Sequence, residues 1–173
     1  MEIGRTESGL FVPVFSPFEV GNKDRHTNGE YHGVATTCPD GKISRVNTKH
    51  LARINGLPEC RWDTALFDIL NLVGASRGFI DPTLRNASLS QLEFLIRGHR
   101  VKRYTLIDHD GCSAYQEELE NSVLRDDEEL FHTLKLQEAS GIIHERLPEL
   151  EVILVYSQRV GEKIRFTQVP PSI

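Results

Sequence analysis

The amino-acid sequence predicts an α/β fold, with a mostly parallel β-sheet flanked by helices and an antiparallel C-terminal edge strand. Apolar, strand-like runs alternate with helix-like segments along most of the 173 residues, a pattern typical of parallel sheets. Residues 151–157 form a near-continuous apolar run, as expected of a strand buried on both faces. Residues 163–169 alternate apolar and polar side chains, which indicates a half-exposed edge partner joined to the preceding strand as a hairpin.

We expect two parts in the chain, an extended N-terminal arm of residues 1–30 and a single α/β domain of residues 31–173. Prolines, glycines and short apolar clusters are interspersed in residues 1–30, which indicates an extended segment. The arm could pack on its own subunit or reach across to a partner, and the sequence leaves both possibilities open. A hydrophobic content of 39% is enough for one core in a chain of this length.

The first half of the domain holds three predicted elements. Residues 32–38 are rich in β-branched side chains and end at a strong turn signal that begins with Pro39, so they are predicted to form a strand. A helix beginning near Asn47 should break at Pro58. Residues 66–73 form a third apolar run before a glycine-rich loop, and its length is compatible with either a strand or a helix.

In the second half of the domain, predicted helices and strands are easier to distinguish. Residues 88–98 place leucines along one face of a predicted helix, which leads into an apolar strand at 101–108. A further helix should run towards Leu124. The following helix is predicted to begin at the acidic residues 126–129 and to run to about Arg146. The helix dipole favours acidic side chains at the N-terminal end of a helix.

Composition excludes several functional classes. The formal net charge of -5, with both signs interspersed, supplies no basic stripe for nucleic acid and no polybasic membrane anchor. The sequence has neither an apolar run long enough to span a membrane nor an apolar secretory signal, so we expect a cytoplasmic protein with small-molecule or protein partners. Three cysteines, Cys38, Cys60 and Cys112, suit metal binding or thiol chemistry better than a disulfide framework, and we expect Cys60 to be buried.

A metal site is predicted where two strands end. The strand at 101–108 stops at His109, with Cys112 three residues further on, and Cys38 ends the strand at 32–38. If these strands are neighbours in a parallel sheet, their carboxyl ends lie together at the crevice where α/β proteins bind ligands. Two thiolates and one imidazole are a good zinc set, and three protein ligands leave the fourth position for water, as in catalytic zinc sites. Asp40, two residues beyond Cys38, could accept a hydrogen bond from that water.

These residues resemble the β-carbonic anhydrases. That family has a strand ending in Cys-x-Asp-x-Arg, a later strand ending in Gly-His-x-x-Cys-Gly, and a terminal hairpin, and the likeness covers residues 32–169 of this chain, mainly at the two ligand turns. The resemblance implies zinc on Cys38, His109 and Cys112, with Asp40 as the aspartate beside the metal. It also implies a homodimer or a higher homo-oligomer.

The sequence departs from the family pattern at several positions. Lys42 stands where the family has the arginine that clamps its aspartate, and Arg45 or Arg77 could substitute for it. Without a clamp, the carboxylate of Asp40 could close the fourth position on the metal. Asp108 replaces the glycine before the histidine; Asp108 and its neighbour Asp110 could be turn residues only or could support the ligands. Ser113 replaces a second family glycine, and the family's Arg-Asn-Ala-Gly loop has only the segment at 74–77 as its counterpart.

Zinc-dependent reversible hydration of carbon dioxide to bicarbonate by zinc-bound hydroxide is the function we expect, with Asp40 and Lys42 as catalytic residues. The alternatives are a partner-binding protein with a closed, structural zinc site, a hydrolase acting on a sulfur analogue of carbon dioxide, and a metal-free thiol enzyme using Cys112 and His109. Six other histidines are expected at the surface or as capping residues, without a function: His26, His32, His50, His99, His132 and His144.

Overall fold

The structure is a computed structural model that describes residues 3–5, 11–13, 31–39, 48–61 and 65–171. Its strands are β1 (Ile3–Arg5), β2 (Phe11–Pro13), β3 (Tyr31–Thr37), β4 (Leu66–Asn71), β5 (Arg103–His109), β6 (Glu151–Val160) and β7 (Lys163–Val169). Its helices are α1 (Thr48–Ile54), α2 (Arg77–Ile80), α3 (Arg85–His99), α4 (Gln116–Glu120) and α5 (Glu128–Arg146), with a 3-10 turn at Glu59–Arg61.

Five strands form the main sheet in the order β4-β3-β5-β6-β7. The first three pairings are parallel, and β6 and β7 pair antiparallel as a hairpin. The fold prediction is therefore confirmed, and the ambiguous run at 66–73 is a strand at the edge opposite β7. β1 and β2 form a separate antiparallel pair, and the rest of the predicted arm lies outside the described residues.

Helices cover both faces of the sheet, which explains the continuous apolar runs in its central strands. Successive side chains of a strand point to opposite faces. On β5, Leu106 packs in the larger core beneath α2, α3 and α5, whereas Ile107 packs in a smaller cluster with Leu51 of α1. Val34 and Ala35 of β3 divide between the same two clusters.

The helix ends follow local side-chain chemistry. Asp127 caps α5 by accepting a hydrogen bond from the Leu130 N–H at 3.0 Å, so α5 begins near the predicted acidic residues. α4 ends at Glu120, short of the predicted Leu124. The Ser122 hydroxyl accepts a hydrogen bond from the Leu124 N–H at 2.8 Å, and such a local bond favours a turn over a continued helix.

Two burial predictions are wrong. Cys60 is exposed, because it lies on the short 3-10 turn after Pro58 and not on an element that packs against the sheet. His132 was expected at the surface, yet it is 0% exposed because it lies on the inward face of α5. Among the helices that the structure describes, none has the length and apolar character needed to cross a membrane.

Candidate metal centre

Cys38, His109 and Cys112 lie together in the interior. The two sulfur atoms are 3.9 Å apart, and the potential ligand atoms of all three residues lie within 4.8 Å of one another. The exposed fractions of the residues are 5%, 2% and 4%, so the cluster is shielded from bulk solvent. The structure therefore brings together the three residues that the sequence predicts as zinc ligands.

The topology explains this convergence. Strands β3 and β5 are adjacent and parallel, with Thr37 paired to Ile107. Cys38 and His109 therefore both lie at the C-terminal ends of neighbouring strands. Gly111 has a φ of +60°, a left-handed conformation that glycine adopts without steric cost. The chain thus turns sharply enough after His109 to bring the Cys112 thiol back beside Cys38.

The spacing of the cluster fits zinc. Two sulfur atoms that are each about 2.3 Å from a tetrahedral zinc ion are roughly 3.8 Å from one another, close to the observed 3.9 Å. His109 Nδ1 lies 2.8 Å from the backbone carbonyl oxygen of Asp110. Because a carbonyl oxygen can only accept, Nδ1 carries the proton, and Nε2 is the nitrogen with a lone pair for a metal.

Backbone N–H groups support the two sulfur atoms. The Gly74 N–H donates to Cys38 Sγ at 3.3 Å, and a backbone hydrogen bond at Ala114 favours the thiolate of Cys112. The contact with Cys38 and burial outweigh the latter and raise the pKa of the Cys112 thiol. In the metal-free chain this thiol therefore keeps its proton, and metal binding must release it.

Asp108 is the last residue before His109 and is itself buried, at 2% exposed. Its carboxylate accepts hydrogen bonds from the Ser76 N–H at 3.0 Å and from the Ser76 hydroxyl at 2.6 Å. His132 Nδ1 lies 3.0 Å from the same carboxylate. Asp108 thus lies on β5 and links the ligand turn to Ser76 and His132. Asp110 accepts a hydrogen bond from the Arg159 N–H at 3.1 Å.

Sequence reasoning missed His132. Burial lowers the pKa of His132, but the hydrogen bond to Asp108 and the nearby carboxylate of Glu128 outweigh this effect and raise it to about 9. The imidazole is therefore cationic at neutral pH. The burial of His132 can be inferred from helical spacing, because it falls on the same helix face as three apolar residues. All of them lie on the buried face of α5: His132, Leu136, Ala139 and Ile143.

Asp40, Lys42 and Arg45 lie outside the described residues. Arg77 is described, and its guanidinium donates to the Ala114 carbonyl and lies 5.9 Å from the ring centroid of Tyr115. Arg77 is therefore engaged with the segment that follows the ligand turn.

Three solved fungal structures are similar to this chain. CafA of Aspergillus fumigatus has 13% identity and a TM-score of 0.48, with 83% of this chain and 78% of that chain covered. A tetrameric protein from Sordaria macrospora has 15% identity and a TM-score of 0.48, with 79% and 80% covered. CafD of Aspergillus fumigatus has 11% identity and a TM-score of 0.48, with 98% and 100% covered.

All three are β-carbonic anhydrases. This is the family that the two ligand turns resemble in sequence. At 11–15% identity, however, likeness to these β-carbonic anhydrases assigns no activity to the chain. No protein-family model matches the sequence, and no curated protein is significantly similar to it.

Proposed function

We propose that this protein is a zinc-dependent carbonic anhydrase that interconverts carbon dioxide and bicarbonate. One observation carries the proposal: two cysteines and one histidine converge at the carboxyl edge of a parallel sheet, with a sulfur–sulfur distance that fits tetrahedral zinc. Three protein ligands are the number found in catalytic zinc sites. Bound there, zinc would lower the pKa of a water molecule to about 7 and so supply a nucleophile at neutral pH.

The protein would contribute binding and orientation. Cys38 and Cys112 would hold the metal as thiolates, and the Nδ1–H bond to the Asp110 carbonyl would orient His109. Asp40 would accept a proton or a hydrogen bond beside the metal, because it follows Cys38 by two residues. Lys42 would offer Asp40 a charge-assisted hydrogen bond and so hold it away from the metal.

Carbon dioxide hydration measured by stopped flow on zinc-loaded protein tests the proposal. We expect hydration well above the uncatalysed rate at neutral pH, and a loss of about 100-fold or more in Asp40→Ala with the zinc retained. Asp126→Ala is the matched control, since it removes a carboxylate that is 96% exposed on a turn, and it should keep full activity.

Full zinc occupancy with hydration at the uncatalysed rate would refute the proposal and leave the closed structural site. Hydrolysis of carbonyl sulfide under the same conditions, without carbon dioxide hydration, would favour the sulfur-analogue hydrolase instead. Low activity at neutral pH that rises in alkali would indicate that Asp40 itself closes the fourth position.

A further inference from the structure

A chain of polar contacts, buried at Ser76, Asp108 and His132, joins the turn that carries His109 and Cys112 to the loop that contacts Cys38. It consists of Ser76, Asp108, Glu128 and His132, which we call the bracket. Ser76 lies between β4 and α2, Asp108 lies on β5, and the other two lie in the first turns of α5. None of the three ligand residues belongs to it. It contacts the turn between His109 and Cys112 directly, and it reaches Cys38 through Gly74, two residues before Ser76.

On the side of His109 and Cys112, the bracket binds the ligand turn at two points. Asp108 immediately precedes His109 on β5. Gly111, between the two ligands, donates its N–H to Glu128 Oε1 at 2.6 Å. This bond fixes the turn to the first residue of α5, a 19-residue helix packed on the sheet.

On the side of Cys38, the contact runs through the β4–α2 loop. The Ser76 N–H and hydroxyl both donate to Asp108, and Gly74, two residues earlier, donates to Cys38 Sγ. Gly74 and Ala75 have φ values of +73° and +39°. A left-handed conformation is unfavourable for alanine and persists only where neighbouring contacts impose it. The two hydrogen bonds from Ser76 are contacts of that kind.

His132 closes the chain between the two carboxylates. Its Nδ1 lies 3.0 Å from Asp108 Oδ2, and its Nε2 lies 3.7 Å from Glu128 Oε1. The side chains of His132 and Asp108 are each 1% exposed. Buried ion pairs add little net stability compared with apolar packing, but they hold a defined geometry because leaving either charge unpaired is costly.

We propose that the bracket is a positioning device for the metal centre, in which Asp108, His132 and Glu128 set the relative position of Cys38, His109 and Cys112. The inference rests on the proposed metal centre but not on the identity of the substrate. It assigns a role to a buried histidine and two acidic residues that bind no metal themselves. Residues that orient metal ligands typically change metal affinity by 10- to 100-fold when they are removed.

Glu128→Ala in the full-length protein tests the link to the ligand turn. We expect a 10- to 100-fold weaker zinc affinity by chelator competition, and a shifted absorption spectrum of the cobalt-substituted protein. Glu129→Ala is the matched control: it removes the neighbouring carboxylate in the same helix turn, and Glu129 pairs with Arg165 at the surface. Its affinity and spectrum should match those of the wild type.

Two variants of His132 test the link to Asp108. His132→Asn keeps a short amide donor for Asp108 but cannot reach Glu128, so we expect a zinc affinity between those of the wild type and His132→Phe. Urea unfolding of the metal-free variants measures their fold stability separately. A purely structural residue would lower the unfolding midpoint while leaving the cobalt spectrum of the folded fraction unchanged.

Wild-type affinity and spectrum in both Glu128→Ala and His132→Asn would overturn the inference. If His132→Phe does not fold, Glu128→Ala still tests the inference. Glu128 is 31% exposed, and its loss leaves the buried pair of His132 and Asp108 intact. A wild-type chain that binds neither zinc nor cobalt would refute the metal centre as well. A wild-type chain that binds metal without hydrating carbon dioxide would refute only the proposed function.

Discussion

The sulfur atom of Cys112 lies 3.9 Å from the sulfur atom of Cys38. The substitution Cys112→Ser replaces it by an oxygen with little change in the shape of the side chain. In Cys112→Ser we expect zinc content to fall below about one tenth of an ion per chain, because a three-ligand site cannot lose a thiolate and remain tight. Cys60→Ser is the matched control, since Cys60 is exposed and lies outside the cluster, and it should retain one zinc. Full zinc occupancy in Cys112→Ser, measured by metal analysis after dialysis, would contradict the ligand assignment.

The bracket also predicts a pH dependence of stability. The pKa of His132 is raised from 6.5 to about 9 in the folded state, so its stabilising contribution is complete below pH 6.5 and is lost as the pH rises towards 9. Its size is up to about 3 kcal/mol in the free energy of unfolding. We expect metal-free wild type to lose more stability across this range than His132→Asn. The raised pKa of the buried Cys112 thiol destabilises both proteins to the same extent in this range, so parallel curves for the two would contradict the prediction.

At the residue scale, the sequence predicts the ligands, whereas it does not predict the hydrogen bonds of the residues that support them. The three predicted ligands follow the ends of apolar runs that predict strands: Cys38, His109 and Cys112. Their positions and their side-chain chemistry therefore both indicate a metal site. Asp108 looked like a possible turn residue, because its partners Ser76 and His132 are 32 and 24 residues away along the chain. Only the packing of α5 on β5 brings them together.

At the scale of elements, the β4–α2 loop supports Cys38, because the Gly74 N–H donates a hydrogen bond to Cys38 Sγ. A methyl group at Gly74 would lie 2.9 Å from Arg77 Cβ and 3.1 Å from Ala114 Cβ, at a φ of +73°. In Gly74→Ala we therefore expect a loss of about 2 kcal/mol or more in the free energy of unfolding, together with weaker zinc binding.

Gly56→Ala separates the two causes in that experiment. Gly56 has a φ of +68°, but no atom of the described residues lies within 4 Å of the position that an added methyl group would take. This variant therefore carries the backbone strain without that crowding. We expect a cost of about 1 kcal/mol and unchanged zinc affinity. Equal effects of Gly56→Ala and Gly74→Ala on zinc affinity would show that the loop does not support Cys38.

Element types were more predictable than element ends. The hairpin of β6 and β7 and the helix α5 followed from alternation, apolar runs and an acidic first turn. The strand β4 was ambiguous because its exposed side chains, such as Leu66 and Ile69, hide the half-buried pattern of an edge strand. The end of α4 coincides with local side-chain hydrogen bonds of Asn121 and Ser122, which no periodicity reveals.

For the whole molecule, we predict self-association into at least a dimer. Edge strand β4 presents Leu66 and Ile69, each 41% exposed, and Val73 at 64% follows it. Exposed apolar edges favour pairing with another chain. Phe166, on the opposite edge strand β7, is partly buried against the cluster that contains Ile107 and Ile153.

Sedimentation velocity at micromolar concentration measures this assembly. We expect Ile69→Asp to weaken it by at least about 10-fold, since a charge on the edge strand opposes pairing. Val123→Asp makes a comparable change on a turn residue that is 99% exposed and should leave assembly unchanged. A monomeric wild type would contradict the prediction.

X-ray absorption at the zinc edge on the purified protein at neutral pH tests the central claim most directly, because it reports the atoms around the metal. We expect one zinc per chain, with two sulfur scatterers at about 2.3 Å and the remaining nitrogen or oxygen scatterers at about 2.0–2.2 Å. The nitrogen would be His109 Nε2, and the sulfurs would be Cys38 and Cys112. A protein without zinc, or a zinc with fewer than two sulfur neighbours, would contradict it.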